Sequence, residues 1–83
     1  MELSEAALRG LRRMPEPMRS RMAEAIESLG DDPYPAGNKL LHGPHKGRRR
    51  IRIGDYRAIY EVDEASRIVA IARIGNRRNV YSS

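Results

Sequence analysis

The sequence predicts an α+β domain: an N-terminal helical hairpin packed on one face of a small antiparallel β-sheet. Two observations carry this. Apolar residues up to Leu29 recur at helical spacing, and from Arg48 onward they recur with a period of two. A third is length, because 83 residues suit one domain spanning 1–83.

Met1 to Leu3 read as a short strand or the remnant of one. Ser4 is a helix N-cap, with Glu5 in the first turn where the helix dipole favours an acid. Ala7, Leu8, Leu11 and Met14 then form an apolar stripe. Pro15 and Pro17 close that helix and open the next. Met18, Met22, Ala25, Ile26 and Leu29 form the second stripe, and Gly30 stops it as a residue suited to a left-handed backbone. Residues 30–38 are loop by composition. Lys39 to Leu41 begin a short extended piece, and His42 to Gly47 form a turn. Ile51 and Ile53 then point to one side of a strand and Arg50 and Arg52 to the other. Gly54-Asp55 signals a tight turn into a strand over Tyr56 to Val62. The nearly continuous apolar run from Ile68 to Ile74 reads as a central strand covered on both faces. A last short strand is expected over Asn79 to Tyr81.

Composition narrows the function. There is no cysteine, so disulfide and thiolate chemistry are excluded. No apolar run approaches the roughly 18 residues that span a bilayer, and no secretion signal opens the chain. A soluble cytoplasmic protein with no membrane partner is the expectation. The net charge of +5 is uneven, at −1 over residues 1–42 and +6 over residues 43–83. That asymmetry suits a polyanionic partner, either nucleic acid or an acidic protein.

The excess is arginine on strands. Arg50 and Arg52 stand about 7 Å apart on one strand face, Arg57 follows on the next strand, and Arg77 lies past the run ending at Ile74. Guanidinium groups hold phosphate oxygens in bidentate pairs, and Tyr81 offers a ring for a base. The alternative is that these arginines only solvate the exposed side of a half-buried sheet. His42 and His45 lack the further ligands of a metal site and read as loop residues. No nucleophile triad, P-loop or dinucleotide fingerprint is present. Neither a metal nor a cofactor is expected.

These motifs resemble the RelE/ParE superfamily of bacterial type II toxins over nearly the whole chain. The resemblance is carried by Ala7-Leu8 through Leu11 and Met14-Pro15, by Lys39-Leu40, by Arg50-Ile-Arg-Ile-Gly-Asp-Tyr-Arg57-Ala-Ile-Tyr60, and by Ile74-Gly-Asn-Arg77-Arg-Asn-Val-Tyr81. It implies a ribosome-dependent mRNA endonuclease of the RelE branch. A ribose 2′-OH would attack the adjacent phosphate to give a 2′,3′-cyclic phosphate, without a metal. By similarity the catalytic set falls on Arg52, Arg57, Arg77 and Tyr81, with Arg48, Arg49, Arg50 and Arg78 binding RNA. Arg57 and Arg77 would stabilise phosphate charge, Arg77 would also serve the leaving group, and Tyr81 would stack on the nucleotide. The resemblance further implies a cognate antitoxin (RelB-like, acidic and partly disordered when free) in a toxin–antitoxin hetero-oligomer, with ribosome and mRNA as targets. The ParE branch, which shares the fold but inhibits DNA gyrase without catalysis, is the alternative.

Two departures stand out. Arg50 and Arg52 occupy positions where the RelE pattern has lysines, and an arginine does not readily serve as a general base. The family's full first strand is reduced to Met1-Glu2-Leu3. Either the true start lies upstream or the sheet loses an edge strand.

Overall fold

The computed structural model describes residues 1–78 and Val80. Chain order is β1 (Glu2–Leu3), α1 (Glu5–Arg13), α2 (Met18–Ser28), β2 (Lys39–Leu40), a 3-10 turn (Gly43–His45), β3 (Arg49–Ile53), β4 (Tyr56–Asp63) and β5 (Ile68–Asn76). The five strands form one sheet in the order β1-β5-β4-β3-β2. Every ladder is antiparallel except β1–β5, so the sheet is mixed rather than purely antiparallel. The first strand is present but only two residues long.

Ser4 fixes the junction between sheet and helix. Its hydroxyl oxygen accepts from the Ala7 N–H at 3.0 Å and its hydroxyl donates to the Ala72 carbonyl at 2.6 Å. Its backbone N–H donates to the Ile71 carbonyl at 3.0 Å. One residue thus caps α1 and ties it to β5. Ala7 and Met14 are buried and Leu11 partly so, whereas Leu8 is 37% exposed and lies off the buried stripe. Met22, Ile26 and Leu29 bury the α2 side. Gly30 is not left-handed. The last turn of α2 tightens instead, with Leu29 donating to Ile26 and Gly30 to Glu27.

Both helices cover one sheet face only. Their side chains meet Ile51, Ala58, Tyr60, Val69, Ile71 and Ile74 in one cluster. β4 is therefore the middle strand, and β5 alternates between buried and half-buried residues instead of being covered on both faces. Between Ile59 and Tyr60 the β4–β5 register slips: Tyr60 faces Ile71 while Ile59 faces Arg73, leaving Ala72 as a bulge. After β5, Arg77, Arg78 and Val80 lie in turns, with the Val80 N–H donating to the Asn76 carbonyl at 2.9 Å. Asn79 and Tyr81, which with Val80 make up the expected last strand, lie outside the described residues.

Two contacts hold the layers. A Cβ built on Gly10 would lie 1.7 Å from the Ile74 carbonyl oxygen, so α1 rests on the β5 backbone itself. Tyr60 is fully buried, and its hydroxyl donates to the Pro33 carbonyl at 2.7 Å, pinning the loop over residues 30–38. The same loop is held by Arg49, which donates to Asn38 at 2.7 Å and lies 4.7 Å over the Tyr34 ring. Tyr34 in turn donates to Glu64.

Gly10→Ala is expected to destabilise the fold by about 1–3 kcal/mol through overpacking, although alanine is the better helix former by about 1 kcal/mol. A urea midpoint that rises would remove this contact from its role. Burial raises the Tyr60 pKa above 10.0, with Arg49 opposing. The group then releases its proton more readily when unfolded, so stability is intact below about pH 10 and falls as pH rises through the folded pKa. Tyr60→Phe should cost about 1 kcal/mol at neutral pH and make the alkaline decline shallower in melts between about pH 8 and 11.

Candidate nucleic-acid interface

The sheet face away from the helices is where alternation sends the even-numbered side chains of β3. Arg52 stands directly opposite Arg57 across the β3–β4 ladder, and Arg57 stands opposite Gly75 on β5. Directly opposed residues have Cα atoms roughly 4.5–5.5 Å apart, a distance at which like charges repel. Arg52 is exposed and Arg57 half-buried. Arg77 follows β5, and its backbone N–H donates to the Asp55 carbonyl in the β3–β4 turn at 2.9 Å. That bond tethers Arg77 to the end of the sheet where Arg52 and Arg57 face each other. Gly54 makes the turn possible with a φ of +58°, a left-handed backbone that other residues adopt only with strain.

The rest of the face is graded. One step along, Lys39, Arg50, Ile59 and Arg73 form a row across four strands. Arg50 is only 8% exposed, so it is not the open surface group that alternation alone predicts. It is buried on this face opposite Ile59, which is itself fully buried and outside the helix-side cluster. Further along, Arg48 pairs with Glu61 at 2.8 Å. Beyond them, Glu2, Glu61 and Asp63 border a shallow depression. Arg57 and Asp63 are six residues apart on one strand, about 20 Å. One end of the face is therefore cationic and the other acidic.

The expected site residues divide accordingly. Arg50, Arg52 and Arg57 share the face, and Arg77 and the exposed Arg78 sit in the turn at its cationic end. Arg48 is on the same side but is taken up by Glu61. Arg49 points to the other side, where it holds Asn38 and Tyr34, so the fold does not bring it to the arginine surface. Tyr81 lies outside the described residues. Arg73, Lys39 and Gly75 join the face without a signal in the sequence. Arg73 has the same parity as the core residues Val69 and Ile71, and only the bulge at Ala72 turns it outward.

Such a surface can hold a phosphodiester in guanidinium forks. Among the described residues no group of three or more His, Cys, Asp or Glu could hold a metal ion. No helix among the described residues is long and apolar enough to cross a membrane.

Comparison with known proteins adds a lineage. A family model described as the ParE toxin of the type II toxin–antitoxin system parDE matches residues 1–81. The chain is 32% identical to Toxin RelE of Mycobacterium tuberculosis, in an alignment covering 95% of this chain and 81% of that protein. Its fold is similar to the toxin–antitoxin complex RelBE2 of the same organism, with a TM-score of 0.77 and 27% identity over 92% of this chain and 94% of that one. The archaeal RelE–RelB complex from Pyrococcus horikoshii gives 0.78 and 25%, over 94% and 93%.

Arg52→Gln removes one of two opposed cations from an exposed position, so folding stability should stay within about 0.5 kcal/mol of the parent or rise. A large loss of stability in chemical denaturation would assign Arg52 to the scaffold instead.

Proposed function

Because this chain belongs to the RelE/ParE superfamily of type II toxins, we propose that it is a ribosome-dependent mRNA endonuclease held inactive by a cognate antitoxin. The observation that carries the reading is the opposed pair Arg52 and Arg57, with Arg77 tethered to the same sheet end. Two arginines facing one another across a ladder suit a phosphate that becomes more negative during reaction. The 32% identity to a protein named Toxin RelE supports the nuclease branch.

In this mechanism the ribose 2′-oxygen attacks the adjacent phosphorus and the bond to the 5′-oxygen breaks, leaving a 2′,3′-cyclic phosphate and a free 5′-hydroxyl. Arg57 and Arg77 stabilise the charge that grows on the phosphate oxygens. Arg77 also neutralises the departing 5′-oxygen, which takes its proton from solvent to become the 5′-hydroxyl. Arg52 orients and acidifies the 2′-OH by hydrogen bonding, and solvent takes the proton, since a guanidinium with a pKa above about 12 is a poor base. Tyr81 stacks on the nucleotide. Arg50 and Arg78 steer the RNA, whereas Arg48, held by Glu61, contributes no net charge to that path. The antitoxin is RelB-like, acidic and partly disordered until it folds on the toxin. Related solved structures are complexes of RelE with RelB.

The second reading is inhibition of DNA gyrase without catalysis, favoured by the ParE family model over residues 1–81.

Expression of the chain without antitoxin should arrest growth and produce codon-phased mRNA 5′ ends on translating ribosomes. Arg57→Ala or Arg77→Ala should lower cleavage about 10²–10³-fold, release the arrest and leave antitoxin binding intact. Arrest that survives both substitutions sinks the site assignment. Intact mRNA with gyrase-dependent DNA damage selects the second reading.

A further inference from the structure

A groove of about 390 Å³ lies beside β5 on the side that β1, paired only with Ala70 and Ile71, leaves uncovered. Arg9 and Arg13 of α1 line one wall. Arg73, Gly75 and Asn76 of β5 line the other, with Tyr56 among them. Among the described residues, no acidic side chain lines it. Arg9 and Arg13 are one helical turn apart, a spacing at which like charges repel. Ion pairs among the described residues are Arg19–Glu16 and Arg48–Glu61, and neither involves a groove arginine. The helix dipole accounts for Arg13 in the last turn of α1. It does not account for Arg9 in mid-helix or Arg73 on a strand.

The groove adjoins the cationic face. Gly75 lines it and also stands opposite Arg57, while Arg73 lines it and stands opposite Ile59. Tyr56, which lines the groove, directly precedes Arg57 on β4, and the two side chains alternate across the sheet edge. We infer that this groove holds the phosphate backbone of single-stranded RNA next to the phosphate at Arg52 and Arg57. The inference rests on the RNA-directed reading above and adds Arg9, Arg13 and Arg73 to it. The groove lining suits nucleotides better than an acidic peptide. Guanidinium forks serve phosphate oxygens, and Tyr56, half-buried against the helix-side cluster, turns its remaining surface to the groove. Asn76, whose side-chain oxygen already accepts from the Arg78 backbone N–H at 3.0 Å, offers its amide N–H groups to a base edge. An acidic peptide would use only the guanidinium groups.

The test is fluorescence anisotropy of a 2′-O-methyl RNA of about 12 nucleotides on the purified full chain, between about 50 and 300 mM salt. The methylated 2′-oxygen cannot attack phosphorus, so cleavage does not contribute. The Arg9→Gln/Arg13→Gln variant should bind on the order of tenfold more weakly at about 100 mM salt, with a log–log salt slope shallower by about 1.4, or about 0.7 for each phosphate no longer neutralised. Arg73→Gln should reduce the slope by about a further 0.7. Arg67→Gln, in the exposed β4–β5 turn at the opposite end of the sheet, should change neither, and thermal melts should show every variant folded. An unchanged slope in the double variant overturns the inference. So does a parent chain that fails to bind the RNA, or a variant that loses antitoxin affinity while keeping RNA affinity. Groove-dependent RNA binding without any mRNA cleavage in cells would leave the groove standing and remove the nuclease reading.

Discussion

The backbone of α1 meets the backbone of β5 at Gly10 and Ile74, with no side chain between them, and the layout of the molecule follows from that contact. The Ser4 hydroxyl fixes the start of α1 on the same strand by capping the helix while donating to the bulged Ala72 carbonyl. The hairpin then covers one sheet face and supplies its apolar stripes as a lid. The other face receives no helix, which is why a run of strand arginines is tolerated there. The same docking lets β1 pair with just two residues of β5, so the rest of that edge stays open next to α1.

Much of this was legible in the sequence because it depends on local periodicity. Ser4, Pro15, Pro17 and the Met22–Ile26–Leu29 stripe announce two helices, and the change to period two at Arg48 announces the sheet. What was not legible depends on partners distant in the chain. The parallel β1–β5 pairing joins Glu2 to Ala70, from opposite ends of the fold. The bulge at Ala72 reverses the parity of Arg73, which alternation from Val69 and Ile71 would send into the core. Arg49 illustrates the same limit from the other side. It belongs to an arginine run by sequence, yet one step of alternation separates it from Arg50 and delivers it to Tyr34 and Asn38. Arg50 points the expected way but is nearly buried, opposite Ile59, which is itself fully buried.

The arginines thus fall into distinct physical classes. Arg48 is neutralised by an exposed ion pair worth at most about 1 kcal/mol. Arg49 is a strut for a loop. Arg52 and Arg57 face each other across a ladder, and Arg77 is positioned through its own backbone rather than its side chain. The acidic far end around Glu2, Glu61 and Asp63 gives the face a direction. A polyanion approaching it is drawn to the arginine end in preference to the other, so its orientation is biased before any specific contact forms.

Ile59 has a consequence for that field. It is fully buried on the face that carries the arginines, with Arg50 and Arg73 as its cross-strand neighbours. A dry hydrocarbon floor polarises far less than water does, so field lines from the surrounding guanidinium groups are not dissipated beneath them. They spread outward, toward whatever occupies the face. An isoleucine that touches no ligand and carries no charge thereby acts as a dielectric mirror for the cations around it.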